Sequence, residues 1–263
     1  MNKIAGAFLG GKAFIPYITC GDPDLETTAA LVRAMAENGA DLIELGIPFS
    51  DPTAEGPVIM AASERALAAG TTTEKIFAMV RELRREVDVP LAFMTYANVV
   101  FSYGAEKFTA SCADAGIQGL ILPDVPYEEK AEFAPACRQH GISFISMIAP
   151  TSEERISMIA KEAEGFLYCV SSLGVTGVRD AISTDIRSMV QTAKAARSSP
   201  LPCAAGFGIA TPEQAAAVAA QADGVIVGSA IVRLIAAHGR NAVPPVAEYV
   251  RSMKAALQGI PLA

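Results

Sequence analysis

Short apolar, β-rich runs alternate along the chain with longer stretches of helical period. The runs are FIPYIT (14–19), DLIELGI (41–47), LAFMTY (91–96), GLILPD (119–124), SFISMIA (143–149), GFLYCVS (165–171), LPCAAGF (201–207) and GVIVGSA (224–230). Between them lie helical segments such as LETTAALVRAMAENG, EEKAEFAPACRQHG and TPEQAAAVAAQADG, each ending in a Gly that can close a helix in the left-handed region. Eight runs that are continuously apolar, joined by helices, predict a parallel sheet buried on both faces. That count selects a (β/α)8 TIM barrel, read as a single domain over 1–263, and no GxGxxG follows the first run to favour a doubly wound open sheet. Two connections are longer than the rest. The one after the second run holds DLIELGIPFSDPTAEGP and an expected extra helix, PVIMAASERALAAG; the one after the sixth holds SSLGVTGVRDAIS.

Composition narrows the classes. Hydrophobic residues make up 51% and charged ones 19%, as in ordinary globular proteins, and the net charge of -7 argues against a nucleic-acid partner. No membrane span is expected. The first residues, MNKIAGAFLGGKAFIP, are interrupted by Lys12 and Pro16 and do not read as a signal peptide, so a cytoplasmic location is expected. The five cysteines are widely spaced, with no CxxC, and read as reduced, mostly buried small hydrophobes. His140 and His238 each stand beside a Gly at an expected helix end, a context that points away from a metal site and from a His-based triad.

Barrel active sites lie at the C-terminal ends of the strands, and the loops after the last two strands often hold a phosphate. Here the seventh run leads into AGFGIATPEQ, with Gly206 and Gly208 around Phe207 and a helix start at Thr211-Pro212. The eighth leads into Gly228 and Ser229 at another helix start. Glycines let backbone N–H groups approach an anion, and helix N-termini orient them. Gly177, in the long loop after the sixth run, is a third contributor, and no Lys or Arg is required. Two such turns in succession favour a phosphorylated substrate over mere tight turning.

The catalytic candidates are polar and aromatic residues near strand ends: Tyr17, Asp22, Glu44, Glu55, Tyr96, Asn98, Asp124 and Tyr168. Glu44 lies in an apolar strand and is expected to face a barrel mouth ringed by Leu42, Ile43, Leu45, Ile47 and Phe49. Such a setting raises a carboxyl pKa and suits a proton shuttle. A structural Glu paired inside the barrel is the other reading, and the sequence leaves both open. Glu55 sits in a stiff turn with Pro52, Gly56 and Pro57, which favours positioning over display. Tyr168 alone reads as a core aromatic, and Asp124 is expected to help start the helix that follows it.

The stretch DLIELGIPFSDPTAEGP, with FIPYITCGDPD, MTYAN, LPDVP, YCVSSLGVTG, AAGFGIATPEQA and GVIVGSAIV, resembles the tryptophan synthase α-subunit family, in order, over nearly the whole chain. The resemblance implies retro-aldol cleavage of indole-3-glycerol phosphate to indole and glyceraldehyde 3-phosphate, without metal or organic cofactor in this chain. It implies Glu44 as general acid/base, Glu55 as the acid that holds the indole N–H, and Tyr168 beside the catalytic Glu. Tyr17, Tyr96 and Ile148 would line the indole pocket, Thr176 would close over the site, and Gly177, Gly206, Phe207, Gly208, Gly228 and Ser229 would cradle the phosphate. A pyridoxal phosphate-dependent β subunit in an α2β2 complex is the implied partner, with Pro48, Asp51 and Asn98 as candidates for contact or relay. A stand-alone lyase, an allosteric subunit with weak lyase activity, and a sugar-phosphate isomerase or epimerase on the same barrel are the alternatives. The chain departs from the familiar pattern in Glu55 for Asp, in Thr53 and Met60, in Ser172 for a basic residue, and in having only about a dozen residues before the first run, where many relatives carry a fuller helix.

Overall fold

The structure is a computed structural model that describes residues 3–170, 183–199, 201–206 and 208–260. Its strands are β1 (Ala13–Thr19), β2 (Ile43–Gly46), β3 (Leu91–Met94), β4 (Gly119–Ile121), β5 (Ser143–Phe144), β6 (Ser146–Ile148), β7 (Leu167–Val170), β8 (Cys203–Gly206) and β9 (Gly224–Val227). Every pairing is parallel, and the order β5-β4-β3-β2-β1-β9-β8-β7-β6 runs once around. β5 and β6 are the two halves of the fifth apolar run, parted at Ile145, whose N–H still donates to Leu120 O on β4 at 2.9 Å. The two ends of the sheet therefore meet at one strand position, and the barrel closes with the eight positions expected.

Alternation along each strand sorts the core into two layers. Ile15, Tyr17, Leu42, Ala92, Met94, Ile121, Tyr168, Ala204 and Ile226 fill the barrel interior. Phe14, Ile18, Ile43, Leu45, Phe93, Leu120, Cys169 and Val225 pack outward against the helices. This corrects the expected surroundings of Glu44: Ile43, Leu45 and Ile47 lie in the outer layer, because neighbours along a strand point to opposite faces, and only Leu42 of that run shares the interior.

Residues before β1 close the bottom of the barrel. A one-turn helix, Lys3–Gly6, buries Ile4, and Phe8 reaches the Phe166 ring at 5.6 Å between centroids. Gly224 makes this possible, since a Cβ there would lie 2.9 Å from Phe8 Cε1. Two carboxylates tie strand ends together nearby. Asp41 accepts from the Phe14 N–H and from Lys254 Nζ, both at 2.7 Å, and Asp223 accepts from the Cys203 N–H and Lys194 Nζ, both at 2.9 Å.

The expected extra helix after β2 is present as Pro57–Ala68, with Gly56 at its N-cap. All five cysteines are buried and unpaired by disulfides. His140 caps the Ala134–Gln139 helix, its Nε2 2.6 Å from Glu106 Oε1, and His238 is the last residue of the Ser229–His238 helix, as expected of helix-end residues. Among the described residues, no helix is long and apolar enough to cross a membrane.

Candidate active site

A cavity of ≈ 340 Å³ opens at the C-terminal ends of the strands. Its wall includes Glu44 from β2, Glu55 from the loop behind β2, Tyr17 from β1, Tyr168 from β7, and the turns after β8 and β9. Glu44 is 1% exposed, and neither of its carboxyl oxygens has a hydrogen-bond partner among the described residues. Among the described residues, then, Glu44 is not a paired structural carboxylate. Burial pushes the Glu44 carboxyl up to about 8, and the nearby charge of Glu55 adds to the push. At neutral pH such a group carries its proton and can give it up, the property a general acid needs.

Glu55 comes next in the same wall. Burial raises it to about 7, while a hydrogen bond from Tyr96 works the other way. Its Oε2 is buried without a partner among the described residues. Tyr96 is locked in turn: its ring stacks on Phe49 at 5.2 Å, and its hydroxyl accepts from the Ala54 N–H at 3.2 Å. The turn that carries Glu55 is thus pinned from β3, which accounts for a half-buried carboxylate on a loop.

Tyr17 and Tyr168 flank Glu44 from either side of the interior. Burial holds both phenols well above their ordinary pKa; the charge of Glu55 adds to this at Tyr17, and that of Glu44 at Tyr168. Both therefore stay protonated at neutral pH. Two glycines make room for them. A Cβ on Gly46 would lie 2.2 Å from Tyr17 Oη, and one on Gly206 would lie 2.9 Å from Tyr168 Oη.

The two glycine turns differ. After β8, the Pro212–Ala219 helix is closed by a capping box: the Gln214 N–H donates to Thr211 Oγ1, and Gln214 Oε1 accepts from the N–H groups of Ala210 (2.8 Å) and Thr211 (3.2 Å). Those donors are already spent within the protein. After β9, the Ser229–His238 helix begins at Gly228 with no side-chain cap, and Gly228 and Ser229 face the cavity. The uncapped N–H groups and positive dipole end of this helix are the kind of feature that can receive an anion.

The structure gathers Glu44, Glu55, Tyr17, Tyr168, Gly208, Gly228 and Ser229 around one cavity. Gly206, at the end of β8, also makes room for Tyr168. Ile148 packs in the outer layer, whereas its neighbour Met147 packs against the interior cluster, so the strand parity of that pair is the reverse of that expected. Asp124 does not start the helix after it. Its two carboxyl oxygens accept from the Ala97 N–H at 3.0 and 3.1 Å and so cap the Ala97–Tyr103 helix of the preceding unit. Pro48 is buried, while Asp51 and Asn98 are exposed at the mouth. Thr176, Gly177, Phe207 and Ser172 lie outside the described residues.

The sequence reading missed Arg233 and Gln214, both in the cavity wall. Arg233 stands four residues after Ser229 on one helix face, a spacing that the Ser229 assignment already contained. Among the described residues, no cluster of three or more His, Cys, Asp or Glu could hold a metal ion.

Residues 9–258 match the family described as "Tryptophan synthase alpha chain". The tryptophan synthase alpha chain of Lacticaseibacillus casei is 47% identical over 257 residues, covering 98% of this chain and 96% of that one. The crystal structure of tryptophan synthase subunit alpha from Legionella pneumophila superposes with a TM-score of 0.88 at 37% identity, covering 99% of this chain and 100% of that one. The tryptophan synthase complex from Pyrococcus furiosus contains a chain that superposes with a TM-score of 0.83 at 34% identity, covering 92% of this chain and 98% of that one.

Proposed function

The chain belongs to the tryptophan synthase alpha chain family, and on that premise we propose that Glu44 and Glu55 carry the proton chemistry of its reaction. That reaction is the retro-aldol cleavage of indole-3-glycerol phosphate to indole and glyceraldehyde 3-phosphate, a carbon–carbon lyase step in L-tryptophan biosynthesis.

Cleaving a bond to an aromatic carbon requires that carbon to become tetrahedral first. Glu44, protonated at neutral pH, delivers its proton to indole C3 and leaves a positive charge spread toward the ring nitrogen. Glu55, as carboxylate, accepts the indole N–H and stabilises that charge. Glu44, now ionised, takes the proton from the hydroxyl on the carbon attached to the ring. The C–C bond breaks, its electrons restore the aromatic ring, and the aldehyde forms. Glu44 ends with the proton it began with. The single observation that carries this reading is the buried, unpartnered Glu44 carboxyl within one cavity wall with Glu55.

The phosphate is bound at Gly208, Gly228 and Ser229, at the open N-terminus of the Ser229–His238 helix. Tyr17 and Tyr168 supply the aromatic sides of the indole pocket. The chain itself uses no cofactor, and its partner is a β subunit that holds pyridoxal phosphate, in an α2β2 assembly. The related complex from Pyrococcus furiosus supports a partner of this kind. Asp51 and Asn98, exposed at the mouth, stand where that partner would dock, and Pro48 would act as a buried relay beneath them. The buried free thiols fit a reducing cytoplasm.

Incubating the chain with indole-3-glycerol phosphate, with and without a β chain, and following indole and glyceraldehyde 3-phosphate together tests the reading. Equimolar release of both, raised by the β chain, is expected. Turnover of sugar phosphates without indole release would point instead to an isomerase on the same barrel.

A further inference from the structure

The helix that follows Glu55 is held at its far end by one ion pair. Arg65, near the C-terminus of the Pro57–Ala68 helix, donates from Nε to Asp22 Oδ1 at 2.8 Å and from Nη2 to Asp22 Oδ2 at 2.7 Å. Asp22, in the loop after β1, is only 2% exposed. Among the described residues this is the only ion pair the helix makes.

The grip around the pair is tight. The loop that carries Asp22 is anchored to the barrel by the Cys20 N–H, which donates to Gly46 O at 2.8 Å, and by the Gly21 N–H, which donates to Thr28 Oγ1 at 2.9 Å. Gly21 has φ +88°, and a Cβ there would lie 2.0 Å from Oγ1 of Thr71, just past the end of the helix. The same loop therefore meets the end of the helix twice, once by charge and once by close backbone approach. A buried ion pair adds little net stability, because desolvation offsets the attraction, but a two-pronged Arg–carboxylate contact specifies one orientation. The helix begins two residues after Glu55, with Gly56 as its N-cap. Its orientation is passed directly to the turn that carries the carboxyl.

We propose that the Asp22–Arg65 pair is a positioning device for Glu55, fixing the tilt of the Pro57–Ala68 helix and so the placement of the Glu55 carboxyl opposite Glu44. This rests on the role given to Glu55 above. Neither Asp22 nor Arg65 lines the cavity, so neither touches substrate.

Four variants of the full chain test it: Asp22→Asn, Arg65→Gln, Arg65→Lys and the double Asp22→Asn/Arg65→Gln. Asp22→Asn and Arg65→Gln are each expected to lower kcat for indole release roughly ten- to a hundredfold while KM moves less than about threefold, as for a misplaced catalytic group. Arg65→Lys keeps the charge and recovers part of the loss, and the double variant is no worse than the poorer single one. Natural kcat in the single variants, losses that multiply in the double, or Arg65→Lys no better than Arg65→Gln would each overturn the proposal. A ¹³C carboxyl titration of Glu55 reads its position without turnover. Among the described residues, Glu44, Tyr17 and Tyr96 are the titratable groups coupled to it, and Arg233 is the charged group in the same cavity wall. In Arg65→Gln, a half-exposed site that tolerates change, the Glu55 titration is expected to move toward that of an ordinary glutamate, and an unchanged titration contradicts the proposal even if the natural chain were to release no indole. Absence of indole release by the natural chain overturns the reaction assignment instead.

Discussion

Tyr17 and Glu44 are Cα partners across β1 and β2, so phenol and carboxyl stand side by side on the inward face of the barrel. The Tyr17 hydroxyl lies 3.3 Å from Thr19 Oγ1, and the Glu44 oxygens have no donor among the described residues. An apolar interior, a neighbouring carboxylate and a phenol engaged elsewhere together keep the proton on Glu44 at neutral pH.

That burial has a consequence for stability. Below pH 4.5 the Glu44 carboxyl is protonated in folded and unfolded chains alike. Between that ordinary value of 4.5 and the folded value of about 8, only the unfolded chain releases the proton, so stability falls as pH rises and levels off above 8. Glu55, raised to about 7, adds a decline of the same sign. Glu44→Gln removes the larger contribution. Urea unfolding at pH 5 and pH 8.5 is expected to show the variant gaining on the natural chain at the higher pH, by on the order of a few kcal/mol.

Glu55 stands where the resemblance leads one to expect Asp, and its carboxyl accepts a hydrogen bond from the Tyr96 hydroxyl. Glu55→Asp is expected to keep kcat within about tenfold of the natural value, because the charge still faces the ring nitrogen, while Glu55→Asn loses roughly a hundredfold or more. Steady-state indole release measures both, and equal losses in the two variants would place the charge elsewhere.

Gly206 is a seat for Tyr168, whose hydroxyl would lie 2.9 Å from an added Cβ, with Ile226 Cβ at 3.2 Å. Gly206→Ala is expected to cost about 1–3 kcal/mol by overpacking and to lower kcat by displacing the phenol toward Glu44. Removing the hydroxyl with Tyr168→Phe should restore part of the stability lost in Gly206→Ala. A thermal-unfolding double-mutant cycle reports this as a coupling between the two sites; strict additivity would mean that Gly206 serves the phosphate alone.

The barrel was legible from the eight apolar runs because parallel strands buried on both faces leave an unbroken signal. The face each residue takes was less so. Continuous apolarity hides the two-residue period, which is why Ile43 and Leu45 were expected around Glu44 and Ile148 in the pocket, when all three point to the helices. Glu44 itself stood out as a charge in the middle of an apolar run, with apolar residues on both sides. Contacts between separate βα units were not legible: nothing near Asp124 announces that it caps the Ala97–Tyr103 helix, and nothing near Asp22 announces Arg65. The glycine turns after β8 and β9 look alike as sequence. Only the Gln214 capping bonds show that one helix start is closed and the other open.

Indole release from indole-3-glycerol phosphate by Glu44→Gln tests the central claim most directly. The variant keeps the shape of the side chain and removes the titratable proton. The account predicts a fall in kcat of roughly a thousandfold or more with KM little changed. A variant that retains most of the natural chain's activity would contradict the assignment of proton transfer to Glu44.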